Sequence, residues 1–143
     1  MKNVYTSGTF DLFHIGHLRV LQRSAELGDR LVVGVSTDEL VASYKQKPPI
    51  ISLSERLEII QSLRCVDQVV VQSSLFSQTL MTEQNISIMT IGSDWEGKDV
   101  PGLKWVHEHP TIELVYLPYT THVSSTKIKQ QILDGWQEDK ATV

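Results

Sequence analysis

Residues 2–36 read KNVYTSGTFDLFHIGHLRVLQRSAELGDRLVVGVS. Lys2 to Thr6 is a short extended run that leads into a glycine-bearing loop. From His17 to Leu27 the apolar residues Leu18, Leu21 and Ala25 recur at helical spacing, and Gly28 supplies a C-terminal stop. Arg30 to Ser36 then carries Leu31, Val32, Val33 and Val35, the pattern of a buried strand. Strand, loop, helix and buried strand in that order predict a parallel crossover unit.

The alternation continues to the end of the chain. Ser54 opens a second helix, with Ser52 or Ser54 as its cap and Leu57, Ile59, Ile60 and Leu63 as its apolar face. Between it and the second strand lies a loop rich in Lys and Pro, from Tyr44 to Ile51. Strands are predicted at Gln68–Val71, Ile86–Ile91 and Glu113–Leu117, and helices at Phe76–Glu83, Lys104–Glu108 and Ser124–Leu133. The fold class is therefore α/β: a single Rossmann-like domain with a five-stranded parallel sheet and helices on both faces, spanning residues 1–133. Crossovers are expected to be right-handed. Residues 134–143 are read as a polar C-terminal tail that frays after Trp136. Ligands of such sheets bind beyond the carboxyl ends of the strands, so chemistry is expected in the loops after Thr6, Ser36, Val71, Ile91 and Leu117.

Composition narrows the class. The chain has 143 residues, 41% of them hydrophobic, which suits one packed core. Seventeen acidic residues against thirteen basic ones give a net charge of −4, which argues against a nucleic acid polymer as partner. A single cysteine, Cys65, excludes an internal disulfide and a cysteine-rich zinc site. No apolar run approaches the roughly 20 residues that span a bilayer, and Met1 to Thr6 lacks the character of a signal peptide. A cytoplasmic protein without membrane insertion is expected.

The first βα loop, Ser7 to His17, holds the densest chemistry. Gly8 allows close backbone approach directly after a strand. His14 and His17 bracket Gly16 at a helix N-terminus, where free N–H groups and the positive end of the helix dipole suit an anion. Two imidazoles there can donate to a phosphate as its charge builds in a transition state. Further along, Lys45 and Lys47 put two cations on one loop, either as a phosphate clamp or as a solvated surface. Gly92 to Trp95 follows a strand and so lies at the binding edge, with Trp95 equally readable as packing. Ser124, Ser125 and Thr126 gather hydroxyls at the last helix start, with Lys127 close by. This is an anion site or simply a cap.

Gly8-Thr9-Phe10-Asp11 followed by the H-x-G-H of His14 to His17 resembles the signature of the nucleotidyltransferase superfamily. The stretches Ser36–Glu39, Arg64–Asp67, Gly92–Lys98 and Ser124–Lys129 bring the resemblance closer to the small bacterial glycerol-3-phosphate cytidylyltransferases, over residues 2 to about 133. That resemblance implies transfer of CMP from CTP to a phosphorylated small alcohol, glycerol 3-phosphate above all, giving CDP-glycerol and pyrophosphate for a cell-surface polymer. Mg²⁺ is expected with CTP, because a free triphosphate carries too much charge for another anion to approach, with Asp11 as a metal-side partner; the resemblance also implies a homodimer with its contact near Arg64 to Asp67. Catalytic roles fall to His14, His17, Lys47 and Lys127. Nucleotide contacts fall to Gly8, Thr9, Phe10, Asp11, Arg64, Gly92, Asp94, Ser124, Ser125 and Thr126, with Asp94 facing the base. Acceptor contacts fall to Lys45, Lys47 and Arg56. Arg64 is also readable as a charge at a helix C-terminus, held by Asp67.

Three stretches depart from the family pattern. Tyr119-Thr120-Thr121-His122-Val123 stands where Arg-Thr-Glu-Gly-Ile is usual, so a permanent cation is lost unless a protonated His122 substitutes. Ser93 replaces a second acidic residue, and Ser73 to Phe76 lacks the aromatic and basic pattern of the glycerol-phosphate enzymes. Pro48 and Pro49 also differ. The alternatives are another phospho-acceptor, such as a phospho-amino alcohol, a phosphosugar or FMN, and a non-catalytic nucleotide-binding regulatory domain.

Overall fold

The computed structural model describes residues 1–135, so all but the first two residues of the expected polar tail lie outside the described part. Five parallel strands, β1 (Asn3–Gly8), β2 (Arg30–Ser36), β3 (Gln68–Gln72), β4 (Ile86–Gly92) and β5 (Glu113–Leu117), form one sheet in the order β3-β2-β1-β4-β5. Its register is set by pairs such as Tyr5↔Val32, Val33↔Val69 and Thr90↔Val115. The chain builds outward from β1 to β3, then returns to place β4 on the other side of β1. The strand order therefore reverses between β1 and β4, and the carboxyl ends of these two strands flank the crevice where such sheets bind ligands.

Helices cover both faces, as expected. Val4, Leu31, Val33 and Val35 point to one face and pack with Leu21 of α1 (Ile15–Glu26) and Ile60 of α3 (Leu53–Gln61). Tyr5 and Val32, one residue out of phase, point to the other face and pack with Met81 of α4 (Gln78–Glu83) and with Trp105 of α5 (Leu103–His107). Each such aliphatic side chain, removed from water, contributes about 1.5–3 kcal/mol. On the second face Tyr5 donates to Gln72 Oε1 at 2.6 Å across β2. Gly34 makes room for this crossing, because a Cβ there would lie 2.0 Å from the Tyr5 hydroxyl.

The expected loop after β2 is partly helical. Asp38–Lys45 forms α2, so Tyr44 and Lys45 belong to its last turn. Thr37 caps it by accepting from Leu40 N at 3.0 Å, and Asp38 and Glu39 complement its dipole. Gln46 then takes a left-handed conformation, φ 62°, that ends the helix and releases the chain into Lys47-Pro48-Pro49. The first helix starts at Ile15 rather than His17, and the last helix, α6 (Ser125–Leu133), starts after its cap Ser124. A single-turn 3₁₀ segment, Ser93–Trp95, follows β4.

Candidate active site

The loop between β1 and α1 is bent into place by its backbone. Phe10 and Leu12 both hold left-handed conformations, φ 55° and 49°, which disfavour side chains with a Cβ by roughly 1–2 kcal/mol each. The buried Phe10 ring folds back over Gly8, where an added Cβ would lie 3.1 Å from it. Sequence positions 8 and 10 are thus coupled: the small residue admits the ring, and the ring fills the floor beside the loop.

His14 and His17 close the N-terminus of α1 as a reciprocal cap. His14 Nδ1 accepts from Gly16 N at 3.1 Å, and His17 Nδ1 accepts from the His14 N at 3.2 Å. Their rings stack with centroids 3.8 Å apart and planes 23° apart. Gly16 permits this, since a Cβ there would meet His14 Cε1 at 2.9 Å. A ring nitrogen that accepts carries no proton, so each neutral imidazole bears its hydrogen on Nε2. The cap thereby selects the tautomer that leaves a donor for a ligand. Burial, then the neighbouring His14 and, more weakly, Lys45, push the His17 ring down to about 3, outweighing the opposite pull of Asp11. Burial also lowers His14. Both rings therefore act at neutral pH as uncharged donors.

These rings line a cavity of about 530 Å³ at the carboxyl ends of β1 and β4, well within the size range of small-molecule sites. The first loop contributes Gly8, Thr9, Phe10 and Asp11 beside the two histidines. The segment after β2 contributes Lys45 and Lys47, both exposed, together with Pro48 and Pro49. The segment after β4 contributes Gly92, Asp94 and Trp95, and the start of α6 contributes Ser124, Ser125 and Thr126. Tyr119 lines the wall as well, and its backbone N–H donates to Ser93 Oγ at 3.1 Å. Ser93 thus ties the loop after β4 to the loop after β5. The cations, hydroxyls and imidazole donors that line the cavity suit phosphates, and Asp94 with the Trp95 and Tyr119 rings suits a base.

Five of the residues singled out from sequence stand elsewhere. Arg56 has no exposed side-chain surface. Its guanidinium donates to the carbonyls of Ile51, Thr9 and Ser36 and pairs with Asp38 at 2.5 Å, so it braces the walls and cannot bind an acceptor. Arg64 is exposed at the amino end of β3, the opposite end of the sheet, and does not line this chain's cavity. Asp67 does not hold it: its carboxylate accepts from Leu31 N at 2.7 Å. Lys127 is exposed, does not line the cavity, and donates to the Thr121 carbonyl. His122 is exposed and is not part of the lining, so it does not replace the missing arginine.

Lys129 takes the place expected of Lys127. It lines the cavity and lies 3.1 Å from Asp11 Oδ2. Helical spacing carried the signal, because Ser125 and Lys129 are four residues apart and share a face of α6. Asp11 also corrects its assignment as a metal partner. Its two oxygens already accept from Ile50 N and Ile51 N at 2.9 Å each, beside the Lys129 ammonium. Burial alone would raise this carboxyl; the two N–H groups and Lys129 outweigh it and hold it below its ordinary range. Among the described residues no three His, Cys, Asp or Glu side chains converge on a cation site. The donor set does not fit a protein-held divalent ion, and a cation that arrives with a triphosphate belongs to the substrate.

A parallel sheet with its cavity at the strand-order reversal, an imidazole pair at a helix start and lysines around it define a nucleotide-transferring class of protein. The sequence matches the family described as cytidylyltransferase-like over residues 5–131. It is 41% identical over 133 residues to the glycerol-3-phosphate cytidylyltransferase of Bacillus subtilis (strain 168), covering 92% of this chain and 98% of the relative. It is 36% identical over 141 residues to the FAD synthase of Thermococcus sibiricus, covering 94% and 95%. Among solved structures, the lipopolysaccharide core biosynthesis protein of Thermoplasma volcanium GSS1 superposes with a TM-score of 0.68 at 29% identity, over 86% of this chain and 99% of that one. The chain belongs to the cytidylyltransferase-like family, and it is a nucleotidyltransferase.

Proposed function

We propose that this chain transfers CMP from CTP to glycerol 3-phosphate. A phosphate oxygen of the acceptor attacks the α-phosphorus in line. The bond between that phosphorus and the oxygen bridging to the β-phosphate breaks, and CDP-glycerol and pyrophosphate leave. No covalent enzyme intermediate forms, and the protein acts by positioning and by stabilising charge.

The observation that carries this proposal is the His14–His17 cap, which leaves two neutral Nε2–H donors at a helix N-terminus in the cavity. Such donors strengthen as negative charge builds on the α-phosphate oxygens. Lys45 and Lys47 neutralise the acceptor phosphate and the triphosphate, and Ser124, Ser125 and Thr126 hold its outer phosphates. Gly8, Thr9 and Phe10 pack against the nucleotide. Gly92 allows the chain to approach the cytosine ring, and Asp94 accepts from its exocyclic amine. The 41% identity to a glycerol-3-phosphate cytidylyltransferase over nearly both chains supports the acceptor.

Several finer features belong to the same proposal. Mg²⁺ enters with CTP. The nucleotide-binding domain is residues 1–133. The protein works in the cytoplasm, where CTP is made, and its product feeds a cell-surface polymer. No helix among the described residues is long and apolar enough to cross a membrane. A homodimer meets near Arg64 to Asp67, and the exposed Ile59 and Val71 on that side support it.

Pyrophosphate release tests the function directly. CTP and ATP are compared across glycerol 3-phosphate, a phospho-amino alcohol, a phosphosugar and FMN. Turnover is expected with CTP and glycerol 3-phosphate. Turnover only with another acceptor moves the substrate assignment, and CTP binding without turnover on any acceptor favours a regulatory domain.

A further inference from the structure

Three segments that carry phosphate-binding groups meet on one buried carboxylate. Asp11 is 3% exposed. Its oxygens accept from Ile50 N and Ile51 N at 2.9 Å each, directly after the Lys47-Pro48-Pro49 segment. The Lys129 ammonium, from α6, lies 3.1 Å from Oδ2. The Ser125 hydroxyl, one turn earlier on α6, donates to the Asp11 backbone carbonyl. The Ile51 peptide is held on its other side too, because its carbonyl accepts from Arg56 Nε at 2.9 Å. The foot of the basic segment is therefore pinned between two buried charges, and one of these also grips α6.

The charges decide what this arrangement can do. The pair of Asp11 and Lys129 is neutral, so the net positive charge lining the cavity comes from Lys45 and Lys47, against the one further carboxylate of Asp94. A lysine ammonium has three donors. With one given to Asp11, Lys129 keeps others for a phosphate in the cavity that it lines. Removing the carboxylate would leave two N–H groups without their acceptor and free the ammonium to swing. We propose that Asp11 is a positioning residue that couples the Lys45–Pro49 segment to α6, and that Lys129, held by it, is a phosphate-contacting residue. This rests on the nucleotide assignment of the cavity.

The test uses the full chain with CTP alone, without acceptor or turnover. CTP affinity is measured by calorimetry, and trypsin cleavage after Lys45 is followed by mass spectrometry with and without CTP. In the wild type CTP is expected to slow that cleavage. Lys129→Gln is expected to weaken CTP binding by at least about tenfold, the loss of one charge-assisted hydrogen bond. The variant should remain folded, as thermal unfolding checks, because Asp11 keeps the N–H donors of Ile50 and Ile51 and a glutamine amide can still donate to it. In this variant and in Asp11→Asn, saturating CTP should no longer slow cleavage after Lys45, which lines the same cavity from another segment, whereas Lys129→Arg should restore the protection. A folded Lys129→Gln that binds CTP as tightly as wild type overturns the phosphate contact, and one that keeps the protection overturns the coupling; neither result touches the nucleotide assignment. A wild type that binds no CTP overturns the nucleotide assignment and the coupling together.

Discussion

The His17 ring accepts the His14 backbone N–H through Nδ1 and stacks on the His14 ring 3.8 Å away. One contact caps a helix, fixes a tautomer and leaves an Nε2 donor on a ring that lines the cavity. Structure and chemistry are therefore linked at this point, and the two can be separated by substitution.

His17→Ala removes one donor that works only as charge builds. Turnover should fall by at least about a hundredfold, with a smaller change in the KM for CTP. Steady-state kinetics of pyrophosphate release measure this. Near-normal turnover would remove His17 from catalysis.

Gly16→Ala tests the spacing of the pair. The new Cβ would meet His14 Cε1 at 2.9 Å and Nδ1 at 3.0 Å, so the ring must shift. Alanine favours a helix over glycine by about 1 kcal/mol, so the variant should remain folded. Turnover should nevertheless drop at least about tenfold through misplacement of His14. Thermal unfolding with kinetics separates the two effects.

Much of this arrangement was legible beforehand. The β-branched run at Arg30–Ser36 and the Glu113–Leu117 strand have the bounds their patterns predicted, because both are defined by apolar residues and polar flanks. The His14–His17 spacing also announced a helix start. Helix α2 was less visible, since the start signal Thr37-Asp38-Glu39 is followed by only about two turns, the last of which runs into the Lys- and Pro-rich stretch from Tyr44. Arg56 gave no local sign of burial: its four partners come from Thr9, Ser36, Asp38 and Ile51, which only the fold brings together. The choice of Lys129 over Lys127 was readable from the four-residue spacing to Ser125.

Arg56→Leu should act on stability before it acts on binding. It strips three carbonyls of their donor and leaves Asp38 without its cation. Asp38 is partly exposed, so the loss comes chiefly from the carbonyls left without a donor, about 1–3 kcal/mol for each that stays buried. Denaturant unfolding should show that loss. An unchanged midpoint accompanied by a raised KM for the acceptor would restore Arg56 to the binding list.

Lys47→Ala should raise the KM for a phosphate-bearing substrate several-fold, because it removes an exposed cation from the cavity wall. Both substrates should be varied in turn. An unchanged KM and kcat would make Lys47 a solvated surface residue.

Acid should weaken the fold in a defined window. Between the ordinary imidazole value of 6.5 and about 3, the unfolded chain binds a proton at His17 that the folded chain refuses. Stability is thus fully present above pH 6.5 and falls, by at most about 1.4 kcal/mol per pH unit for this group, as pH drops through the window. The lowered Asp11 carboxyl adds to the loss only below the ordinary carboxylate range, where the unfolded chain protonates first. Denaturant midpoints from pH 8 to pH 4.5 measure the slope, which should be shallower in His17→Asn. An equal slope in both would locate the titration elsewhere.

The most direct measurement is a crystal structure of the full chain with CTP, read for the distances from the two Nε2 atoms to the α-phosphate oxygens. At least one of those oxygens is expected within hydrogen-bonding reach, about 2.7–3.2 Å, of an imidazole Nε2. An α-phosphate bound in the cavity but held well beyond that reach of both His14 and His17 would contradict the central claim.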